Sequence, residues 1–299
     1  MKYILLSLFI IFSNCASLLL KTAIRYERGK GDIDIKNIQI EKFKIVYSEA
    51  GKGDSVLLIH GFGGDKDNWT RLIPYLEGKF KVISPDLPGF GESDKIKQEN
   101  YSISEQVLRL KAFKEKLGIS KFHIVGNSMG GAISTAYSIQ YPEDILSLTL
   151  IDSAGVTSPS KSELTIQLEK GFNPLLVNNS KDYDRLMDFN FYKKPYIPDV
   201  IKDYFAEKAI ENRPMNEKIF ADIRSEKNLI EPNLSKINTP TLIIWGDFDK
   251  VIHPDSANIF HKGIKNSKLI IMKNCGHIPQ IERPDEVGAY LKEFISLKK

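Results

Sequence analysis

The chain predicts an α/β fold: a mostly parallel eight-stranded sheet with helices on both faces and a helical cap inserted after the sixth strand. Three observations carry that prediction. Eight short apolar or alternating runs mark the chain, helix-period segments separate most of them, and one long stretch interrupts the alternation. A short β-rich run bounded by turn formers is a strand buried on both faces, as parallel sheets require.

Taken in order, residues 38–40 and 44–47 alternate as half-buried strands, closed by Gly51-Lys52-Gly53-Asp54. Fully buried runs follow at 56–59, 81–84, 122–125, 146–151, 241–245 and 269–272. Ser102-Ile103-Ser104-Glu105 has the pattern of a capping box and opens a helix to about Leu117, with Gly118 as its stop. Pro284-Asp285-Glu286 starts a last amphipathic helix through Phe294. Strands alternating with helices imply right-handed crossovers and a sheet covered on both faces.

Between 156 and 237 the alternation stops. Helix-like segments at 182–191 and 200–212 lie there, punctuated by Pro159, Pro174, Pro195, Pro198, Pro214 and Pro232. This region reads as a cap over the C-terminal edge of the sheet, where α/β sites lie. The division is then 1–24 as signal peptide or anchor, 25–155 as the first part of the core, 156–237 as the cap and 238–299 as the second part.

Composition excludes some functions. Lys and Arg number 42 against 38 Asp and Glu, a net +4 with no basic stripe interleaved with aromatics, so no nucleic-acid partner is expected. The 299 residues, 42% hydrophobic, suffice for one large core plus an insertion.

The N-terminus differs in character: Lys2 precedes an uncharged Ile-, Leu- and Phe-rich stretch over 3–20, roughly 18 residues. In one reading it is a secretory segment ending in a loose lipoprotein site, with lipid on Cys15. In the other it stays as an uncleaved anchor, with Lys21, Arg25, Arg28 and Lys30 at the headgroup surface. Phe12 and Asn14 depart from the usual lipoprotein pattern. Both readings attach the protein to a membrane, with the bacterial cell envelope as the expected location. Cys275 is the remaining cysteine, so no internal disulfide is expected; a small buried hydrophobe is its anticipated role.

The segment Gly126-Asn127-Ser128-Met129-Gly130-Gly131 follows an apolar run and leads into a helix-like stretch. Glycines two residues either side of Ser128 allow a sharp strand-to-helix turn that exposes the hydroxyl. Such a string alone is common, so its partners decide. His60-Gly61-Phe62-Gly63-Gly64 follows another strand, and its turn can aim the Phe62 N–H at the space above Ser128. With the Met129 N–H this makes a two-donor oxyanion hole. The glycine spacing fits neither a P-loop nor a dinucleotide fingerprint. His60 itself is expected to tie the loop.

A serine nucleophile needs a base. Of the five histidines, His123 lies inside a strand and His261 in a polar helix. His277 follows the 269–272 strand through Lys273-Asn274-Cys275-Gly276 and is the best base. His253 is the rival, but it shares a loop with the best acid. That acid is Asp249 in Trp245-Gly246-Asp247-Phe248-Asp249, with Asp152, at the end of the 146–151 strand, as an alternative.

The order Ser128, Asp249, His277 is that of the α/β-hydrolase superfamily, which the chain resembles over nearly everything after Asn37. The matching pieces are His-Gly-Phe-Gly-Gly at 60–64, Asp-Leu-Pro-Gly-Phe-Gly-Glu-Ser at 86–93, Gly-Asn-Ser-Met-Gly-Gly at 126–131, Trp-Gly-x-x-Asp at 245–249 and Gly-His at 276–277. Within it, Asp65 to Trp69 and Glu282-Arg283-Pro284 resemble the bacterial membrane-associated lipases of the Moraxella/Psychrobacter type and animal membrane-bound monoacylglycerol lipases. The resemblance implies hydrolysis of acylglycerol or similar carboxylic esters, with no metal or organic cofactor.

Relatives that hydrolyse carbon–carbon bonds of ring-cleavage products share Gly-Asn-Ser-Met-Gly-Gly. They usually carry a richer Gly-Gly-Gly-Pro loop and a Trp after the base, where Ile278 stands here. Dehalogenase and epoxide hydrolase resemblances need Asp where Ser128 stands. A non-enzymatic scaffold predicts a broken constellation, whereas all three residues are present.

Overall fold

The computed structural model describes residues 22, 24–226 and 229–296. The lipid site or anchor expected around Cys15 lies outside these residues. Among the described residues, no helix is long and apolar enough to cross a membrane.

Eight strands form one sheet: β1 (Asp34–Ile40), β2 (Phe43–Ala50), β3 (Asp54–Ile59), β4 (Phe80–Pro85), β5 (Phe122–Asn127), β6 (Ile145–Ile151), β7 (Thr241–Gly246) and β8 (Ser267–Met272). Their order is β1-β2-β4-β3-β5-β6-β7-β8. β1 and β2 pair antiparallel, as do β2 and β4, and every other pairing is parallel. β1 is mostly exposed at the sheet edge, which is why only its last residues carry an apolar signal.

Side-chain alternation splits the core in two. Leu57 and Ile59 of β3 face one cluster, Val56 and Leu58 the other. The first is covered by α1 (Ile103–Lys116) and α2 (Met129–Gln140), through Leu110, Phe113, Ile133 and Tyr137. The second takes Leu72 and Leu76 from a short helical segment and, from the last helix (Pro284–Ser296), Val287 and Leu291. Ser102 caps α1, its hydroxyl accepting the Glu105 N–H, while Gly118 follows in the left-handed region at φ 68°. The expected reciprocal half of the capping box is not formed by Glu105: the Ser102 N–H goes to Asn100 Oδ1 at 2.9 Å, and Glu105 turns toward Arg109.

Among the described residues, three α-helices lie between β6 and β7, α3 (Glu163–Glu169), α4 (Ser180–Asn190) and α5 (Asp199–Ser225), followed by a 3-10 segment at Glu231–Lys236. Pro214, expected to punctuate this region, instead lies inside α5. A proline removes one helical hydrogen bond. Burial of Met215 and Ile219 just beyond it, both in the main core, offsets that loss. α6 (Asp255–Gly263) follows β7, and the final helix is α7 (Pro284–Ser296). Because β3 and β5 to β8 run parallel, their C-terminal ends open on one edge of the sheet.

Candidate active site

Ser128 stands between β5 and α2 at φ 56°, ψ −119°. A non-glycine residue there costs about 1–3 kcal/mol and persists only where its surroundings enforce it. They do: the Ser128 N–H donates to Ile151 O, and its carbonyl accepts from Ala132 and Ala154. The flanking glycines are required by contact. A Cβ on Gly130 would lie 2.1 Å from Ile59 O, and one on Gly126 would lie 2.2 Å from Gly130 O. Met129 is the first residue of α2, so its N–H has no carbonyl within the helix to meet.

The loop after β3 lies against the serine, the position of a Cβ on Gly61 being 3.1 Å from Ser128 Cβ. Gly64 N–H donates to Gly61 O, and Gly63 at φ 71° completes the turn around Phe62. The Phe62 ring packs edge-on against Phe90 at 6.1 Å and Phe220 of α5 at 5.5 Å. His60 is wholly buried; its Nδ1–H donates to Gly61 O at 2.8 Å, and its Nε2 accepts the Leu87 N–H at 3.0 Å. Burial pushes this imidazole down from its ordinary range, so it stays neutral and joins the two loops.

His277 and Asp249 come together as expected. The His277 Nδ1–H donates to Asp249 Oδ2 at 2.8 Å, with both side chains buried. The other carboxylate oxygen, Oδ1, accepts the N–H groups of Val251 and Ile252 at 2.8 and 3.0 Å. This fixes the imidazole so that Nε2 is the free ring nitrogen. Gly246 lets the two loops touch, since a Cβ there would lie 2.2 Å from Gly276 O. Asn127, beside the serine, reaches across: its amide donates to Ile151 O and to His277 O, both at 3.1 Å.

The other candidates are engaged elsewhere. His123 is buried against Ser147 Oγ at 2.7 Å, His261 meets Ser267, and His253 sits beside Asp255. Cys275 is buried in the second core cluster, and burial pushes its thiol up, away from thiolate character. Asp152 lies close to the pair: one donor atom each from Asp152, Asp249 and His277 lies within 4.8 Å of the others. Three such groups can also face a metal ion, but here the His277 Nδ1 that faces the two carboxylates donates to Asp249 Oδ2, while Asp249 Oδ1 accepts two backbone N–H groups.

Two contributions were not anticipated. Lys66 is buried, its Nζ on Asp86 Oδ2 at 3.1 Å, and the Asp86 carboxylate also accepts the N–H groups of Lys66 and Glu92. This ties the Phe62 loop to the loop after β4. Glu282 holds the base loop, its carboxylate accepting the Gly276 N–H. In sequence Lys66 lies between two aspartates in a segment that carries the family resemblance, as Asp86 does, but nothing local marks it as buried or pairs it with Asp86.

A family model for the alpha/beta hydrolase fold matches residues 54–284. The chain belongs to the α/β-hydrolase fold family. Lipase 1 of Psychrobacter immobilis is 42% identical over 282 residues, 92% of this chain and 88% of its own. A monoacylglycerol lipase of Xenopus laevis is 31% identical over 296 residues, covering 93% of this chain and 87% of its own. The crystal structure of a membrane phospholipase A, a bacterial virulence factor, superposes with TM-score 0.93 at 38% identity, covering 100% of this chain and 99% of that one. A hydrolase of 2-hydroxy-6-oxo-6-phenylhexa-2,4-dienoate from Rhodococcus is less similar, at TM-score 0.78 and 27% identity over 88% of this chain and 99% of its own. With named lipases at 41–42% identity, this member of the α/β-hydrolase family is an ester hydrolase.

Proposed function

We propose that the enzyme cleaves carboxylic esters of lipids, acylglycerols foremost, through Ser128, His277 and Asp249. The observation that carries this reading is the buried 2.8 Å hydrogen bond from His277 to Asp249, with the base loop joined through Asn127 to the turn that holds Ser128 at positive φ. Ser128 Oγ attacks the ester carbonyl as His277 Nε2 takes its proton, and the Phe62 and Met129 N–H groups receive the charge that develops on the carbonyl oxygen. His277 then protonates the departing alcohol. Water, deprotonated by the same imidazole, attacks the acyl-enzyme, and His277 returns that proton to Ser128 Oγ as the acid is released. Asp249 holds the imidazole and balances its charge in both halves.

The helices between β6 and β7 form a cap that shapes the acyl site, and the apolar N-terminus keeps the enzyme at the membrane from which its substrate comes. Supporting the lipid class are the relatives' names, lipase and phospholipase. Carbon–carbon hydrolysis has weaker support, from a more distant structural relative and from a motif that does not discriminate. The test is a panel of monoacylglycerol, phospholipid and simple 4-nitrophenyl esters, with Ser128→Ala as control. Hydrolysis of the lipid esters, lost in the variant, is the expected result; undiminished hydrolysis by Ser128→Ala would overturn the mechanism. Intact-mass analysis of the mature protein separates lipid on Cys15 from an uncleaved anchor.

A further inference from the structure

We propose that Asp152 is a neutral carboxylic acid that donates a hydrogen bond to Asp249 and so fixes the carboxylate on which His277 is oriented. It is a positioning residue, and the inference rests on the triad reading above.

Asp152 follows β6 directly, in the left-handed region at φ 45°, and is wholly buried. Its N–H donates to Ile244 O, which fastens it to β7. One carboxylate oxygen, Oδ1, accepts the Gly246 N–H at 3.0 Å. The other, Oδ2, is buried and meets no donor among the described residues. A buried carboxylate oxygen without a donor is costly if ionised. The cost disappears if that oxygen carries a proton and finds an acceptor.

An acceptor is at hand. Asp152 and Asp249 each place an oxygen within 4.8 Å of the other and of a His277 ring nitrogen. Two carboxylates so close in a dry site do not both ionise; one keeps a proton. The surroundings decide which. Asp249 accepts two backbone N–H groups and the imidazole N–H, so three donors converge on it. Asp152 receives one N–H only. Burial, then the charge of Asp249, push Asp152 well above the usual carboxylate range, and a hydrogen bond with Asp249 acts in the same direction. The proton therefore sits on Asp152 and points at Asp249.

The chemical consequence is a single negative charge behind His277. A second anion would hold the imidazolium too firmly for it to return its proton to the leaving alcohol. A neutral donor fixes Asp249 without adding that charge.

Two substitutions test this, both compatible with positive φ. Asp152→Asn keeps an acceptor for Gly246 and replaces the acid proton with an amide donor. Asp152→Gly removes both. Kinetics use the full chain with a soluble short-chain 4-nitrophenyl ester, normalised to active enzyme by fluorophosphonate titration. Asp152→Asn is expected to keep kcat within about threefold, and Asp152→Gly to lower it about tenfold or more with KM little changed, as loss of a hydrogen bond to a charged group predicts. A tenfold loss in Asp152→Asn would overturn the inference, since it would make Asp152 a working anion; this arm decides even if Asp152→Gly fails to fold. An unchanged kcat in a folded Asp152→Gly would also overturn it. Failure of the triad reading looks different: activity would then survive in Ser128→Ala or His277→Ala.

Discussion

The Glu282 carboxylate accepts the Gly276 N–H at 3.0 Å, one residue ahead of His277. The same oxygen accepts the Tyr192 N–H at 3.2 Å, and its neighbour accepts the Lys193 N–H at 2.8 Å. The His277 N–H in turn donates to Asn190 O at 2.8 Å, and a Cβ on Gly276 would lie 2.4 Å from that same oxygen. Segment 190–193, at the end of α4, therefore lies directly on the base loop, and one side chain joins the two. Removing Glu282 frees three N–H groups and loosens both.

The expected outcome of Glu282→Ala is a fall in kcat of about tenfold with a small change in KM, because displacing the base harms the transition state more than the ground state. Glu282→Gln keeps one good acceptor and should retain more activity. Steady-state kinetics alongside thermal unfolding separate this from a loss of fold: a drop in kcat at unchanged midpoint supports the positioning role, and wild-type kcat in Glu282→Ala removes it.

Lys66 and Asp86 form a buried ion pair under the Phe62 loop, at 1% and 0% side-chain exposure. Lys66 Nζ also meets Glu92 Oε1 at 3.2 Å, so removing Lys66 is what leaves a charge, that of Asp86, without a cation in a dry site, at a cost of about 3–5 kcal/mol. Lys66→Met should lower stability by that order in chemical denaturation and, because the Lys66 N–H still meets Asp86 Oδ1, leave part of the loop geometry intact. Asp86→Ala removes the acceptor of three donors and should cost more. Equal and small effects from both would show that the pair is dispensable.

Much of this architecture is legible from local pattern. Each of the eight runs corresponds to a strand: in β3 to β7 burial on both faces leaves a continuous hydrophobic signal that needs no knowledge of neighbours, whereas β8, expected to be fully buried, is a partly exposed edge strand. The strand ends then point to Ser128, Asp249 and His277. Pattern favours Asp249 as the acid but leaves Asp152 as an alternative, because β6 and β7 are adjacent and both acids emerge on the same edge. Only three-dimensional placement shows that both stand behind one imidazole. Lys66 and Glu282 lie in segments that carry the family resemblance, but their roles are not legible for a different reason: their partners lie on other loops, and a charged residue in a polar stretch looks the same whether it is solvated or clasped. Pro214 misled because its penalty is local while the compensating burial of Met215 and Ile219 is not.

Close backbone packing at the nucleophile turn makes a sharper prediction. Gly130 faces Ile59 O and His60 O, 2.1 and 2.6 Å from the position of an added Cβ. Both neighbours are backbone atoms of a central strand and the loop that follows it, so no side chain can move aside. Gly130→Ala should destabilise by roughly 3 kcal/mol or more, at the severe end of single substitutions. Gly78 offers the control in the other direction: it has open space but φ 82°, so an alanine there costs only backbone strain, about 1 kcal/mol. Comparing the two by urea unfolding tests the contact argument, and similar losses would defeat it.

Acid sensitivity should trace in part to His123 on β5. Its ring is buried, accepts or donates to Ser147 Oγ at 2.7 Å, and lies edge-on to Phe80 at 6.2 Å. Burial pushes it down to about 4, so it folds neutral. An unfolded chain binds a proton here near the ordinary histidine value of about 6.5. Between those values the unfolded state holds more protons than the folded one, and stability falls as pH falls. The contribution is present in full above about pH 6.5 and is lost by about pH 4, an order of 3 kcal/mol at most. His123→Gln, which cannot titrate but can still bond Ser147, should be less stable than wild type at pH 7.5 and should lose less on going to pH 4.5. Denaturation curves at the two pH values check this, and parallel losses in both proteins would assign the acid sensitivity elsewhere.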